Sequence, residues 1–357
     1  MRKVHSYPVY NPRASARLTI ALETGGSGPE RNWSCNRHSR KGVASTSPSL
    51  LVPSTVYSIL LMIRVLGTLF AALMGLAFGS FLNVCLTRWP AGESIVKPRS
   101  HCRNCGRTLA WWENVPLASW LALRGRCRTC GAWIGLRYQL VELAVGTAWA
   151  VNVWMLLGGP PAWFAHPYHY PEGPFIEVGA LLVLWLFIAL AALDAEHLWL
   201  PDKLTIPGIV LGIIWTVLVN RFHYRMFYDF GPPTPPLAPG ALRRLGETLA
   251  AAGLILLIRW VYKLIRHREG LGLGDAKLMA MLAAWLGLSG ALLSFATGVV
   301  LGALTAIVLI VRRKKPEGAN SWAATKLPLG TFLCIGGIVA SLWGQPIIAA
   351  YLRWAGF

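Results

Sequence analysis

The residues with the most chemical potential in this chain are few. It has only four aspartates, Asp194, Asp202, Asp229 and Asp275, and seven cysteines, four of which repeat a spacing. Three of the aspartates sit at the ends of apolar stretches. Asp194 closes one in "LFIALAALDAEHLWLPDKLTIPG", Asp202 opens the next just after Pro201, and Asp275 opens another in "GLGLGDAKL". Asp229 lies in a long connecting segment and has no such setting. A carboxylate at membrane depth is costly, so one that is kept there is a candidate for chemistry. If Asp194 and Asp275 meet the same membrane face at similar depth, they cannot both ionise cheaply and share one proton. One then acts as base on a water while the other, protonated, polarises a carbonyl. That is aspartic peptidase chemistry, and it needs no metal or nucleophilic side chain. Gly270, Gly272 and Gly274 leave space beside Asp275 for an extended peptide backbone. Lys277 is expected at the interface near Asp275, where it either tunes the pair or reaches to the surface. Simpler readings stand beside this one. The helix macrodipole alone favours an aspartate at a helix N-terminus, and an ion-coupled membrane transporter also places acidic residues near helix breaks.

The cysteines form a second constellation, "HCRNCGRTLAWWENVPLASWLALRGRCRTCG". Cys102 and Cys105 make one CxxC and Cys127 and Cys130 the other, each followed at once by a glycine, Gly106 or Gly131. Two such knuckles can supply four thiolates to a tetrahedral zinc. Four thiolates leave no open position for water, so the expected role is structural. Zinc and iron are not distinguished by the spacing. Two disulfides would suit an oxidising compartment, and a redox CxxC is a further alternative. Trp111, Trp112 and Trp120 in this basic loop also allow a nucleic-acid reading. A place at the membrane interface or in the core of the small module accounts for them more simply. Cys35, Cys85 and Cys334 have no partner by spacing.

The elements that must position these groups are membrane spans. Of the 357 residues, 55% are hydrophobic and only 14% charged, far from the composition of a soluble domain. Stretches near the roughly 20 apolar residues a span needs occur at 65–86, 138–157, 175–193, 204–220, 247–265, 276–288, 289–311 and 328–351, the sixth being short. The expected fold is therefore an all-α polytopic membrane protein of about eight transmembrane helices, with a small four-cysteine metal-binding module between helices 1 and 2.

The net charge of +19 would suggest nucleic acid in a soluble chain, but the basic residues cluster by loop. The stretch 88–137 carries nine, from Arg88 to Arg137; two further clusters are Arg266-His267-Arg268 and Arg312-Arg313-Lys314-Lys315. Eight alternating spans put all three on one side, which the positive-inside rule makes cytoplasmic. The loop 158–174 has no Lys or Arg and falls on the other side. The loop 221–246, with Arg221, Arg225, Arg243 and Arg244, is a partial exception.

Residues 1–61 differ in composition, being polar and Ser- and Arg-rich up to about residue 54. They are expected to be a disordered extension or a mis-assigned start, with Met62 as the native one; a flexible basic tail and a transit-like peptide are the alternatives. The expected organisation is then 1–61 as extension, 62–87 as first helix, 88–137 as cysteine module and 138–357 as the transmembrane catalytic domain.

Several segments, in order, resemble the bacterial type IV prepilin peptidases, bifunctional leader peptidase/N-methyltransferases of the GxGD aspartic class. They are "GSFLNVCLTRWP" (79–90), the cysteine segment 98–131, "LDAEHLWLPDKLTIPG" (193–208) and "GLGDAKL" (272–278). The resemblance runs from about residue 65 to the last helices. It implies Asp194 and Asp275 as the catalytic pair, Asp202 as a non-catalytic neighbour, and Cys102, Cys105, Cys127 and Cys130 as metal ligands. The substrates it implies are prepilins and pilin-like secretion proteins, cut on the cytoplasmic side of a bacterial inner membrane just after a glycine. It also implies methylation of the new N-terminal amine with S-adenosylmethionine as methyl donor. No motif in the chain reads as a pocket for that donor. Arg103 stands where the family often has proline, and Glu113 where aspartate is common.

Overall fold

The computed structural model describes residues 54–158, 173–227, 237–267, 272–312 and 327–356. The expectations for residues 1–53, the loop 158–174, Cys35, Asp229 and Gly270 lie wholly or largely outside them. Eight α-helices are assigned: α1 Ser54–Arg88, α2 Ala118–Ala122, α3 Arg137–Leu157, α4 Gly173–His197, α5 Asp202–Phe227, α6 Leu237–Arg266, α7 Leu273–Arg312 and α8 Leu329–Trp354. All but the short α2 are long and apolar enough to cross a membrane, giving seven such helices among the described residues. Among the described residues the only β pairing is two isolated bridges.

The expected sixth and seventh spans both fall within α7. Forty residues of straight helix would reach about 60 Å, twice the roughly 30 Å of a bilayer's hydrocarbon core. Gly287, at φ 76° and ψ 173°, breaks it. A Cβ at this φ would be strained, which makes glycine the fitting residue. The arms on either side run back along each other: Leu282 approaches Gly337 on α8, and Ser294 approaches the adjacent Gly336. The two expected spans are thus the two arms of a hairpin with a one-residue break.

Neighbouring helices alternate in direction. Gly79 meets Glu142 and Gly75 meets Gly146 across α1 and α3. Arg137 pairs with Glu196 across α3 and α4, and Trp149 donates to the Leu181 carbonyl further along. Lys277 pairs with Asp202 across α7 and α5, and Asp194 meets Thr331 across α4 and α8. Arg88, Arg137, His197, Asp202, Lys277 and Thr331 therefore lie at one end of the bundle. Arg243 and Arg244, part of the loop that broke the charge pattern, lie at the opposite end. Each makes a 3.0 Å ion pair with Glu247, which offsets charge there.

Close approach of α1 and α3 has a sequence cause. Gly75 and Gly79 form a small-xxx-small stripe of the kind that lets membrane helices touch by backbone. A Cβ on Gly75 would stand 2.8 Å from the Gly146 Cα, and one on Gly79 would stand 2.7 Å from the Glu142 Cα. The central element is α4, apolar on all sides. Leu184, Ile188 and Leu193 pack with Leu82, Leu86 and Val145 of α1 and α3, while Phe187 and Leu190 pack with Leu278, Leu282 and Leu333 of α7 and α8. Helix α1 begins at Ser54, earlier than the expected 62 or 65, because 54–61, "STVYSILL", itself continues the apolar helix.

Candidate active site and metal module

Asp194 comes from the last turns of α4 and is only 6% exposed. Its Oδ2 accepts a 2.7 Å hydrogen bond from the Thr331 amide, and the Thr331 hydroxyl lies 3.1 Å from it. Gly330 leaves no room for more: a Cβ there would stand 2.9 Å from the Asp194 Cγ. Asp275 is half-buried in the first turn of α7. Its Oδ2 accepts from the Gly272 amide at 3.0 Å, a carboxylate reaching back to an otherwise unpaired helix N-terminal donor. The two carboxylates lie at the same end of the bundle. Each is within electrostatic reach of the other, and the buried Cys334 is within reach of both. Leu200 packs against both Gly274, beside Asp275, and Gly330, beside Asp194.

The three sequence-predicted neighbours of Asp275 fare differently. Gly272 is exposed, and a Cβ on it or on Gly274 would meet nothing closer than 3.4 Å, so neither glycine is demanded by packing. Lys277 does not turn to Asp275. Its Nζ bonds Asp202 Oδ1 at 2.6 Å, because residues two apart on a helix do not face each other. Gly330 and Thr331 were missed by sequence reasoning. The only signal is the "PLGT" turn at the start of the last span, and the amide that matters carries no side-chain signature.

In the cysteine module the four Sγ atoms all lie within 4.8 Å of one another, and Cys102 and Cys130 are 3.8 Å apart. A tetrahedral zinc at about 2.3 Å from each sulfur implies S···S edges of about 3.8 Å, so the donor set fits a metal of that kind. The two knuckles match: the Gly106 amide donates to the Cys102 carbonyl and the Gly131 amide to the Cys127 carbonyl, both at 2.9 Å. Both glycines have positive φ, 70° and 68°. Backbone amides of Cys130 and Thr129 stabilise the Cys127 thiolate and hold that thiol down to about 6, which favours a thiolate ligand. Outside the thiol cluster the module is fixed by Glu113. Its buried carboxylate takes 2.7 Å bonds from Arg107 Nη2 and the Ala110 amide, and Arg107 holds it below the usual carboxylate range. Trp120 belongs to the module core, donating to the Ile134 carbonyl and packing edge-on against Trp133 at 5.9 Å. Trp111, in contrast, is exposed.

Fold and site together define a multi-pass helical membrane protein with two separate centres, a carboxylate pair inside one end of the bundle and a four-thiol cluster beside it. The chain belongs to the type IV leader peptidase family. Residues 181–307 match the family of that description, and residues 73–156 match the Bacterial Peptidase A24 N-terminal domain. It is similar to the prepilin leader peptidase/N-methyltransferases of Stutzerimonas stutzeri and Pseudomonas aeruginosa. Each is 35% identical over 313 residues, 80% of this chain and 93% of the relative. The Myxococcus xanthus protein of the same name is 38% identical over 263 residues, 71% of this chain and 68% of the relative. No solved structure matches.

Proposed function

We propose that this protein is a prepilin leader peptidase that also methylates the N-terminus it exposes, with Asp194 and Asp275 as the catalytic pair. The observation carrying the proposal is the position of the two carboxylates, at the end of α4 and the start of α7, at one end of a membrane bundle with Leu200 packed beside the neighbours of both. One carboxylate takes a proton from a water as its oxygen attacks the scissile carbonyl. The other, protonated, donates to the carbonyl oxygen. On collapse a proton passes to the leaving amine. Thr331 and Gly330 hold Asp194 in place, and Gly272 orients Asp275. Gly272 and Gly274, not needed for packing, leave room for the peptide beside Asp275.

The basic residues of 88–137 and the ends Arg266 and Arg312 belong on the cytoplasmic side, so cleavage takes place at the cytoplasmic face of the bacterial inner membrane. The substrates are prepilins of type IV pili and pilin-like proteins of type II secretion. Cys102, Cys105, Cys127 and Cys130 hold a structural zinc. S-adenosylmethionine, when bound, supplies the methyl group: an N–C bond forms as the C–S bond breaks, its electron pair stays on sulfur, and the amine loses a proton. No observation favours the ion-coupled carrier reading.

The test is to incubate purified protein with a prepilin, with and without S-adenosylmethionine, and weigh the products. The expected result is loss of the leader mass in both samples and one added methyl only with the donor. An intact prepilin in both would contradict the proposal.

A further inference from the structure

The carboxylate pair and the thiol cluster leave one large feature unused. A cavity of about 730 Å³ lies between the cysteine module and the ends of α1 and α3, within the roughly 300–1,000 Å³ of small-molecule sites. Its walls contain buried polar atoms with no partner: Asn83 Oδ1, Gln139 Oε1 and Arg107 Nε. Asn83 is 3% exposed and Gln139 9%. Asn83 spends its amide on the Tyr138 carbonyl at 2.9 Å, which leaves its oxygen free and fixed. Glu142, 7% exposed, lines the same cavity, three residues after Gln139 on α3 and so on the same face. The Leu117 amide donates to it at 3.0 Å and the Ser80 side chain also hydrogen-bonds it, and no ion pair with it is formed among the described residues. Buried polar atoms without partners are rare in native proteins and call for an explanation.

We propose that this cavity is the S-adenosylmethionine site. This inference rests on the proposed methyltransferase activity and deepens it. The unpartnered atoms sort by what they ask of a ligand. Asn83 and Gln139 offer acceptors, which suit ribose hydroxyls, an exocyclic amine or an ammonium. Glu142 offers a negative charge for a cation, and this donor carries a sulfonium and an ammonium. Arg107 Nε offers a donor for its carboxylate. The Trp120 ring in the wall gives the adenine a flat surface to pack on. The position fits the order of events. Arg137, two residues before Gln139, pairs with Glu196, two residues after Asp194. An amine freed at the carboxylate pair therefore has only the adjoining ends of α3 and α4 to cross.

The test titrates full-length detergent-solubilised protein with S-adenosylmethionine by calorimetry, for wild type, Gln139→Leu and Asn83→Leu. Prepilin cleavage by the same samples reports folding. Wild type is expected to bind, and each substitution to weaken binding roughly tenfold, the loss of one hydrogen bond to a buried ligand. Variants that cleave prepilin and bind the donor as wild type does would overturn the cavity assignment while leaving the proposed function standing. A wild type that cleaves but neither binds the donor nor transfers a methyl would overturn the second activity, and this inference with it. If a substitution abolishes folding, ultraviolet cross-linking of radiolabelled donor to wild type decides. Label between residues 80 and 142 supports the site, and label confined to α4–α8 overturns it.

Discussion

The two polar regions at this end of the bundle solve opposite problems. Around Asp194 and Asp275 the identified partners of the carboxylates are backbone amides and one hydroxyl, from Thr331, Gly330 and Gly272, so each carboxylate is positioned chiefly by backbone. In the cavity between the cysteine module and α3, the polar side chains are held in place but left short of partners. On the proposed reading the first region acts on a bond and the second receives a ligand. The comparison suggests that one face of a membrane bundle can carry two reactions on one substrate end, provided each site is built from different helices.

The largest effects should separate the regions outright. Asp194→Asn and Asp275→Asn are each expected to lower prepilin cleavage by at least about a thousandfold, within the range of losing a general acid or base. Binding of S-adenosylmethionine should be unchanged. Gly330→Ala comes next: its Cβ would press on the Asp194 carboxylate, and cleavage is expected to fall about ten- to a hundredfold with the thermal midpoint nearly unchanged. Cleavage at the wild-type rate would remove Gly330 from the account.

On the other side of the comparison, Cys102→Ser with Cys105→Ser should lower bound zinc by elemental analysis and loosen the module, with less loss of cleavage than either Asp substitution. Glu113→Gln should destabilise the module by about 1–3 kcal/mol, since Arg107 and the Ala110 amide lose a charged acceptor. Because the folded Glu113 carboxyl is held below its usual range, its contribution is present above the unfolded value and fades as pH falls through the lowered folded one. Denaturation of wild type and variant should therefore converge only in acid. The smallest effect is expected from Lys277→Met. Its pair with Asp202 is exposed on both sides, is worth at most about 1 kcal/mol, and should leave cleavage within a few-fold of wild type.

How much of this could be read from the sequence depends on the kind of signal. Asp194 and Asp275 stood out because aspartate is scarce and each sits at the edge of an apolar run. The cysteines stood out because a knuckle is local, with glycine at the turn. The spans followed from length and hydrophobicity, and even the α7 hairpin was visible as two runs meeting near Gly287. Lys277 went to Asp202 because helix geometry, not proximity in sequence, chooses its partner. Gly330 and Thr331 act through backbone, which has no residue code. Asn83 belongs to α1 and Gln139 and Glu142 to α3, and they look like ordinary polar residues until α1 and α3 are packed together by Gly75 and Gly79.

The most direct test of two sites serving one substrate end uses the Asp275→Asn protein with two substrates, an intact prepilin and a synthetic peptide beginning at the mature N-terminus. With S-adenosylmethionine present, mass spectrometry should show the prepilin uncut and the peptide carrying one added methyl. A prepilin trimmed at the wild-type rate, or a peptide methylated by wild type but not by this variant, would contradict the account.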